Sequence, residues 1–139
     1  EGAIASVLKE AGHTVVATDL VDYGFGIGGI DFLKELRPRA KHIVTNPPYV
    51  AAHEVLPSSV VAWEPVEALV SGASGLEAYE LVLVEALEWL APGGVFVAEI
   101  GSTQGAAVAG LASDAGLADV RIVRDHAELD RTVVAVRPR

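Results

Sequence analysis

The chain has 139 residues, a formal net charge of -9 at pH 7, 51% hydrophobic residues, no Cys and no Met. That length fits one domain with an aliphatic core, no apolar run reaches the roughly 18 to 20 residues of a membrane span, and ten scattered basic residues oppose a nucleic-acid partner, whose phosphates are held by clustered Lys and Arg. Without Cys there is neither disulfide nor thiolate chemistry, in keeping with a reducing compartment, and a soluble cytoplasmic protein is expected.

From Gly2 to Ala11 the apolar positions Ile4, Val7, Leu8 and Ala11 recur at the spacing of one helix face, with Gly12 placed as a C-terminal cap. Thr14 to Thr18 is a short β-branched run ending at Asp19, the pattern of a buried strand. Val21 to Gly29 holds four glycines, Gly24, Gly26, Gly28 and Gly29, too many for a stable helix, so a loop is expected. Ile30 to Leu33 reads as a brief strand or turn, and Lys34 to Arg37 as a short helix ending before Pro38.

His42 to Thr45 is the next strand, ended by Asn46 and two prolines that cannot donate to a sheet ladder. Val50 to Ser74, with Pro57, Pro65 and Gly72, reads as an ordered connection with one helical turn near Pro57. Leu76, Tyr79, Leu83, Leu87 and Leu90 then mark an amphipathic helix stopped by Pro92-Gly93-Gly94. Val95 to Ile100 is an apolar strand with Glu99 near its end, and Thr103 to Ala115 a helix capped by Gly116. Val120 to Val123 and Thr132 to Val136 form an antiparallel pair around the polar turn Asp125 to Arg131. The predicted fold is α/β: a Rossmann-like, mostly parallel sheet with helices on both faces and a C-terminal antiparallel β-hairpin.

In open α/β sheets ligands bind beyond the carboxyl ends of the strands, where Asp19 and Asn46 fall. An acidic side chain at a strand end can accept both ribose hydroxyls of an adenosine ligand; a turn Asp is the competing reading of Asp19. Asn46-Pro47-Pro48-Tyr49 is more specific, since average residue usage yields it in a chain of this length on the order of once in a thousand sequences or fewer. A planar amide or amino nitrogen delocalises its lone pair and is a poor nucleophile until its hydrogens are oriented. The Asn46 side-chain carbonyl and the Pro47 backbone carbonyl can each accept one N–H, with the prolines locking that pair, which aligns the nitrogen for in-line attack on a methyl carbon. Tyr49 would lie against the planar target. The four histidines, His13, His42, His53 and His126, lack ligand spacing, and no metal is expected.

On these residues the chain resembles the class I S-adenosylmethionine (SAM) dependent methyltransferases. From Asn46 onward it is similar to the HemK/PrmC family, through Asn46 to Val50, Trp63-Glu64-Pro65, Ala68-Leu69, Gly72, Gly75-Leu76, Tyr79, Pro92-Gly93-Gly94, Glu99-Ile100-Gly101, Gln104, Asp125 and Asp130-Arg131. The resemblance implies methyl transfer from SAM to a glutamine side-chain amide of a peptide chain release factor. Asn46, Pro47, Pro48 and Tyr49 then carry the substrate site, and Trp63-Glu64-Pro65 is either a cleft wall or a structural corner. The family's glycine-rich SAM loop is reduced to Glu1-Gly2. Residues 1 to 139 are therefore expected to be a single catalytic domain lacking its first strand and most of that loop, with Gly2 the loop's remaining cofactor contact.

Thr18-Asp19-Leu20, the glycine loop and Asp31-Phe32 look closer to adenine-N6 methyltransferases. That likeness implies SAM contacts from Asp19, Leu20, Asp31 and Phe32, with Asn46 bordering the methyl donor. Three readings remain open: a protein-glutamine methyltransferase, an adenine-N6 methyltransferase acting on DNA or RNA, and an inactive methyltransferase fragment.

Overall fold

In the computed structural model the described residues are 39–139, preceded by positions 7, 9–12, 14 and 15. The chain divides into two compact units, Glu1–Arg37 and Pro38–Arg139. In the first, positions 7, 9 and 10 are helical. The Ala11 amide donates to the Val7 carbonyl at 3.0 Å and the Gly12 amide to that of Lys9 at 2.9 Å. Gly12 has φ +84°, the left-handed geometry of a glycine cap. The remainder of the expected helix, the strand beyond Val15, the glycine loop and everything expected from Ile30 to Arg37 lie outside the described residues.

The second unit carries strands β1 (Ala40–Thr45), β2 (Val50–Ala51), β3 (Val70–Gly72), β4 (Leu90–Glu99), β5 (Ala118–Arg124) and β6 (Asp130–Val136). Its helices are α1 (Ser58–Val61), α2 (Val66–Leu69), α3 (Glu77–Trp89) and α4 (Gly105–Asp114). Four strands form one sheet in the order β1-β4-β6-β5, and β2 and β3 form a small second sheet. β1 runs parallel to β4, while β6 is antiparallel to both β4 and β5. The hairpin expected at residues 120–136 is present, and its second strand is the one that joins β4.

Alternation along the strands makes one face of this sheet the core. Phe96, Ala98, Val133 and Ala135 are fully buried there with Ile100, against Tyr79, Leu83 and Ala86 of α3 and Val108 and Ala112 of α4. Tyr79, Leu83 and Ala86 follow the 4-3 spacing that puts side chains on one helix face. Each large side chain so buried contributes about 1.5–3 kcal/mol.

The α3 helix ends one residue earlier than its apolar spacing suggests. Leu90 is already extended, at φ -74° and ψ 142°, and opens β4 while its side chain remains in the core. The orphan carbonyls of this helix end are taken by Arg137, whose guanidinium donates to the Leu87 carbonyl and, at 2.6 Å, to that of Leu90. Pro92-Gly93-Gly94 lies inside β4, at the register shift where β1 pairing passes from Ala40–Leu90 to His42–Val95. The connection from residue 50 to 74 holds two helical turns rather than one. Pro57 precedes α1 and Pro65 precedes α2, both before the first turn where a missing N–H costs nothing.

The start of α3 is organised by Ser74 and Glu77. The Ser74 amide donates to Glu77 Oε1 at 2.8 Å, and the Leu76 amide to Ser74 Oγ at 3.1 Å, close to a capping box. Backbone N–H donation, that of Ser74 foremost, lowers the Glu77 carboxyl from 4.5 to about 2. A carboxyl depressed in the folded state adds stability above its unfolded pKa, and that stability is lost as pH falls through the folded value. A Glu77→Gln variant is therefore expected to melt below wild type near neutral pH, with the gap closing between pH 4.5 and about 2. Thermal scans across that range check it.

Candidate active site

Parallel pairing of β1 with β4 sets Thr45 beside Ala98, so both strands finish at the same edge. The Ile100 amide then donates to the Arg131 carbonyl at 2.9 Å, continuing the pairing of β4 with β6. Sheet register thus assembles Asn46 to Tyr49, Glu99 to Gly101 and Arg131 at one carboxyl-end edge, the usual ligand-binding position in such sheets. Asn46 is exposed, Pro47 buried, and Pro48 and Tyr49 half-buried.

Tyr49 is held at both ends. Its hydroxyl donates to Glu99 Oε1 at 3.2 Å, and its carbonyl accepts from Gln104 Nε2 at 2.9 Å. Below it the Tyr79 hydroxyl donates to the Glu99 carbonyl at 2.7 Å, fixing the residue that carries the carboxylate. Burial, followed by the negative charge and hydrogen bond of Glu99, raises the Tyr49 hydroxyl above its ordinary pKa, with Arg131 opposing. The Tyr79 hydroxyl is raised further, again by burial first, then by Tyr49 and Glu99. Both phenols stay neutral at physiological pH and act as donors, so Tyr49 presents a fixed ring rather than a base.

Arg131 is oriented by Asp125, whose Oδ2 accepts from the guanidinium Nε at 3.1 Å. The other oxygen of Asp125 accepts from the amides of Ala127 and Leu129 at 2.8 and 3.1 Å, closing the β5–β6 turn. These bonds, led by the Leu129 amide, lower the Asp125 carboxyl, and Asp125 in turn raises the Arg131 guanidinium. One aspartate thus shapes the turn and aims a cation at the Tyr49–Glu99 edge.

Of the residues expected at the site, Asn46, Pro47, Pro48 and Tyr49 lie together on this edge. Gly2, Asp19, Leu20, Asp31 and Phe32 lie outside the described residues. Trp63 stands 85% exposed at the corner between α1 and α2, and its amide donates to the Val60 carbonyl at 3.1 Å. Among the described residues no cluster of three metal-ligating side chains occurs. Sequence reasoning gave Glu99, Gln104 and Arg131 no role. For Glu99 and Gln104 the signal was the Glu-Ile-Gly-x-x-Gln string at the end of an apolar strand, which puts a carboxylate and an amide at that strand end; Arg131 carried no such signal.

No protein-family model matches the chain. A release factor glutamine methyltransferase of Cereibacter sphaeroides is 44% identical over 110 residues, which is 78% of this chain and 40% of that protein. The protein of the same description from Moorella thermoacetica is 42% identical over 111 residues, 77% of this chain and 39% of its own length. That of Caulobacter vibrioides is 41% identical over 97 residues, 68% and 34% respectively. The chain thus spans 40% or less of the length of these relatives.

Among solved structures, a methyltransferase from Pyrococcus furiosus is similar with TM-score 0.51 at 14% identity, covering 75% of this chain and 44% of that one. A possible exported protein from Bordetella parapertussis gives 0.52 at 15%, covering 81% and 44%. These two likenesses are of fold alone. Sheet, strand-end motif and sequence relatives together put the chain in the Rossmann-like methyltransferase class. Within that class it belongs to the HemK/PrmC family.

Proposed function

We propose that this chain is the catalytic part of a SAM-dependent N-methyltransferase whose substrate is a glutamine side-chain amide of a peptide chain release factor. The observation that carries the reading is Asn46-Pro47-Pro48-Tyr49 set on the shared carboxyl edge of β1 and β4, with Tyr49 tied at its hydroxyl and its carbonyl. Exposed Asn46 offers a side-chain carbonyl to one amide N–H of the target, and the Pro47 carbonyl takes the other. With both hydrogens held, the nitrogen is turned toward the incoming carbon, and orientation of this kind supplies much of the rate in a reaction that needs no strong base. The Tyr49 ring, fixed by Glu99, flanks the planar amide.

SAM supplies an electrophilic methyl group when bound. The described edge fits such a donor, since Asn46 is exposed directly beyond β1; Gly2, Asp19, Leu20, Asp31 and Phe32 are proposed to hold the remainder of the cofactor. A release factor as substrate puts the protein in the cytoplasm. Among the described residues no helix is long and apolar enough to cross a membrane. The adenine-N6 reading is weaker, because a net charge of -9 repels a polyanion and the sequence relatives carry the glutamine description.

The test is methylation of a release factor by the full-length protein with SAM, read as methyl incorporation on one glutamine by mass spectrometry. Incorporation there is expected. SAM binding without incorporation overturns the glutamine assignment. Calorimetry on the 139-residue chain addresses the inactive-fragment reading, which micromolar SAM binding removes.

A further inference from the structure

Gln104, the residue that opens α4, has its side-chain amide committed to the backbone of three separate segments. Nε2 donates to the Tyr49 carbonyl at 2.9 Å and to the Gly75 carbonyl at 3.2 Å, and Oε1 accepts from the Gly101 amide at 3.0 Å. Two of those partners lie 55 and 29 residues away in sequence, so the bridge is tertiary and not a local turn. A primary amide has two N–H donors, and both are in use.

The spot is closely packed. A Cβ built on Gly75 would lie 2.6 Å from the Tyr49 carbonyl oxygen and 3.0 Å from Gln104 Nε2, so the three groups leave no room for a side chain there. A neutral planar head with two donors and an acceptor belongs only to Gln and Asn, and Asn is one carbon shorter. Glu offers acceptors where donors are needed, and Lys and Arg offer no acceptor to Gly101.

We propose that Gln104 is a positioning residue for the Asn46–Tyr49 segment: by holding the Tyr49 carbonyl it fixes the peptide that follows Pro48, and with it the acceptor pair of Asn46 and Pro47. Gln104 acts through Tyr49 and contacts neither methyl donor nor acceptor. Its catalytic consequence rests on the glutamine methyltransferase reading given above. Its structural consequence does not.

The experiment compares full-length wild type with Gln104→Met, close in length but without donors, and Gln104→Glu, close in shape but with an inverted hydrogen-bond sense. Methyl transfer to a glutamine-containing release-factor peptide by Gln104→Met should lose roughly tenfold to a hundredfold in kcat, the scale of a misplaced reacting group, with KM for SAM changed less than about twofold. In Gln104→Glu the carboxyl, surrounded by carbonyls, titrates above its ordinary value. Protonation restores one O–H donor, so activity relative to wild type should rise as pH falls.

Hydrogen exchange supplies a readout independent of turnover. In Gln104→Met the Gly101 amide and residues 46–51 should exchange faster than in wild type, while the core of α3 stays protected. Unchanged kcat with unchanged exchange overturns the proposal, as does equal deprotection of α3, which would mean general destabilisation, or a flat pH ratio for Gln104→Glu. A wild type that methylates no glutamine overturns the functional reading, and the exchange contrast alone then decides the role of Gln104.

Discussion

Replacing Asn46 with alanine in the full-length protein should lower kcat for methyl transfer to a glutamine peptide by roughly a hundredfold to a thousandfold, the cost of removing one preorganised hydrogen-bond partner from a reacting centre. The melting temperature should change little, because Asn46 is exposed and exposed substitutions away from caps and networks stay within about 0.5 kcal/mol. Asn46→Asp sharpens the test. It keeps an acceptor in nearly the same place but adds a negative charge beside an electrophilic methyl donor and an amide carbonyl. If the side chain only shaped the turn before the prolines, Asp would serve as well as Asn. If it orients the target amide, both variants lose kcat. Steady-state kinetics with SAM and peptide varied separately checks this, and an alanine variant within a fewfold of wild type would remove Asn46 from the chemistry.

The largest stability effect is expected at Gly75. Its φ of +79° lies in the left-handed region, and an added Cβ would meet two main-chain atoms, the Tyr49 carbonyl oxygen at 2.6 Å and the Ala51 nitrogen at 3.1 Å. A left-handed non-glycine residue costs of order 1–3 kcal/mol by itself, and neither main-chain partner can move aside cheaply. Gly75→Ala should therefore lose about 3 kcal/mol, near the upper end of that range, and weaken methyl transfer by pushing on the Tyr49 carbonyl. Gly110 is the internal comparison. It lies in α4 with nothing within 4 Å of an added Cβ, so Gly110→Ala should stabilise by about 0.5–1 kcal/mol through helix propensity. Denaturant midpoints of the two variants should move in opposite directions.

Much of this was legible before any coordinates. The apolar run before Asn46 made a strand, because β-branched residues ended by two prolines allow little else, and the Tyr79-Leu83 spacing made α3. Gly116 closed α4 where a left-handed glycine was expected. The short pairing of Val50–Ala51 with Val70–Gly72 was not legible, since two or three residues carry no period. Nor was the end of α3 at Trp89, because Leu90 is apolar in either element and its exit from the helix is set by Arg137, 47 residues later. The same reason hid most of the site. Asn46 to Tyr49 is contiguous and carries its chemistry on its face, whereas Glu99 and Gln104 reach Tyr49 across 50 and 55 residues, and local spacing holds no trace of such partners.

The strand order has a consequence for how this unit comes to be folded. β6 stands between β4 and β5, so among the described residues β5 has no strand neighbour other than β6, although it is made first. During synthesis β4 and β5 cannot be joined into one sheet until residues 130–136, the strand between them, have emerged. Until then both strands present unpaired backbone, the state in which chains are most open to aggregation. Arg131 is brought to Tyr49 and Glu99 by that same late strand. During synthesis Arg131 therefore reaches the carboxyl-end edge only after β1, β4 and β5 have been made.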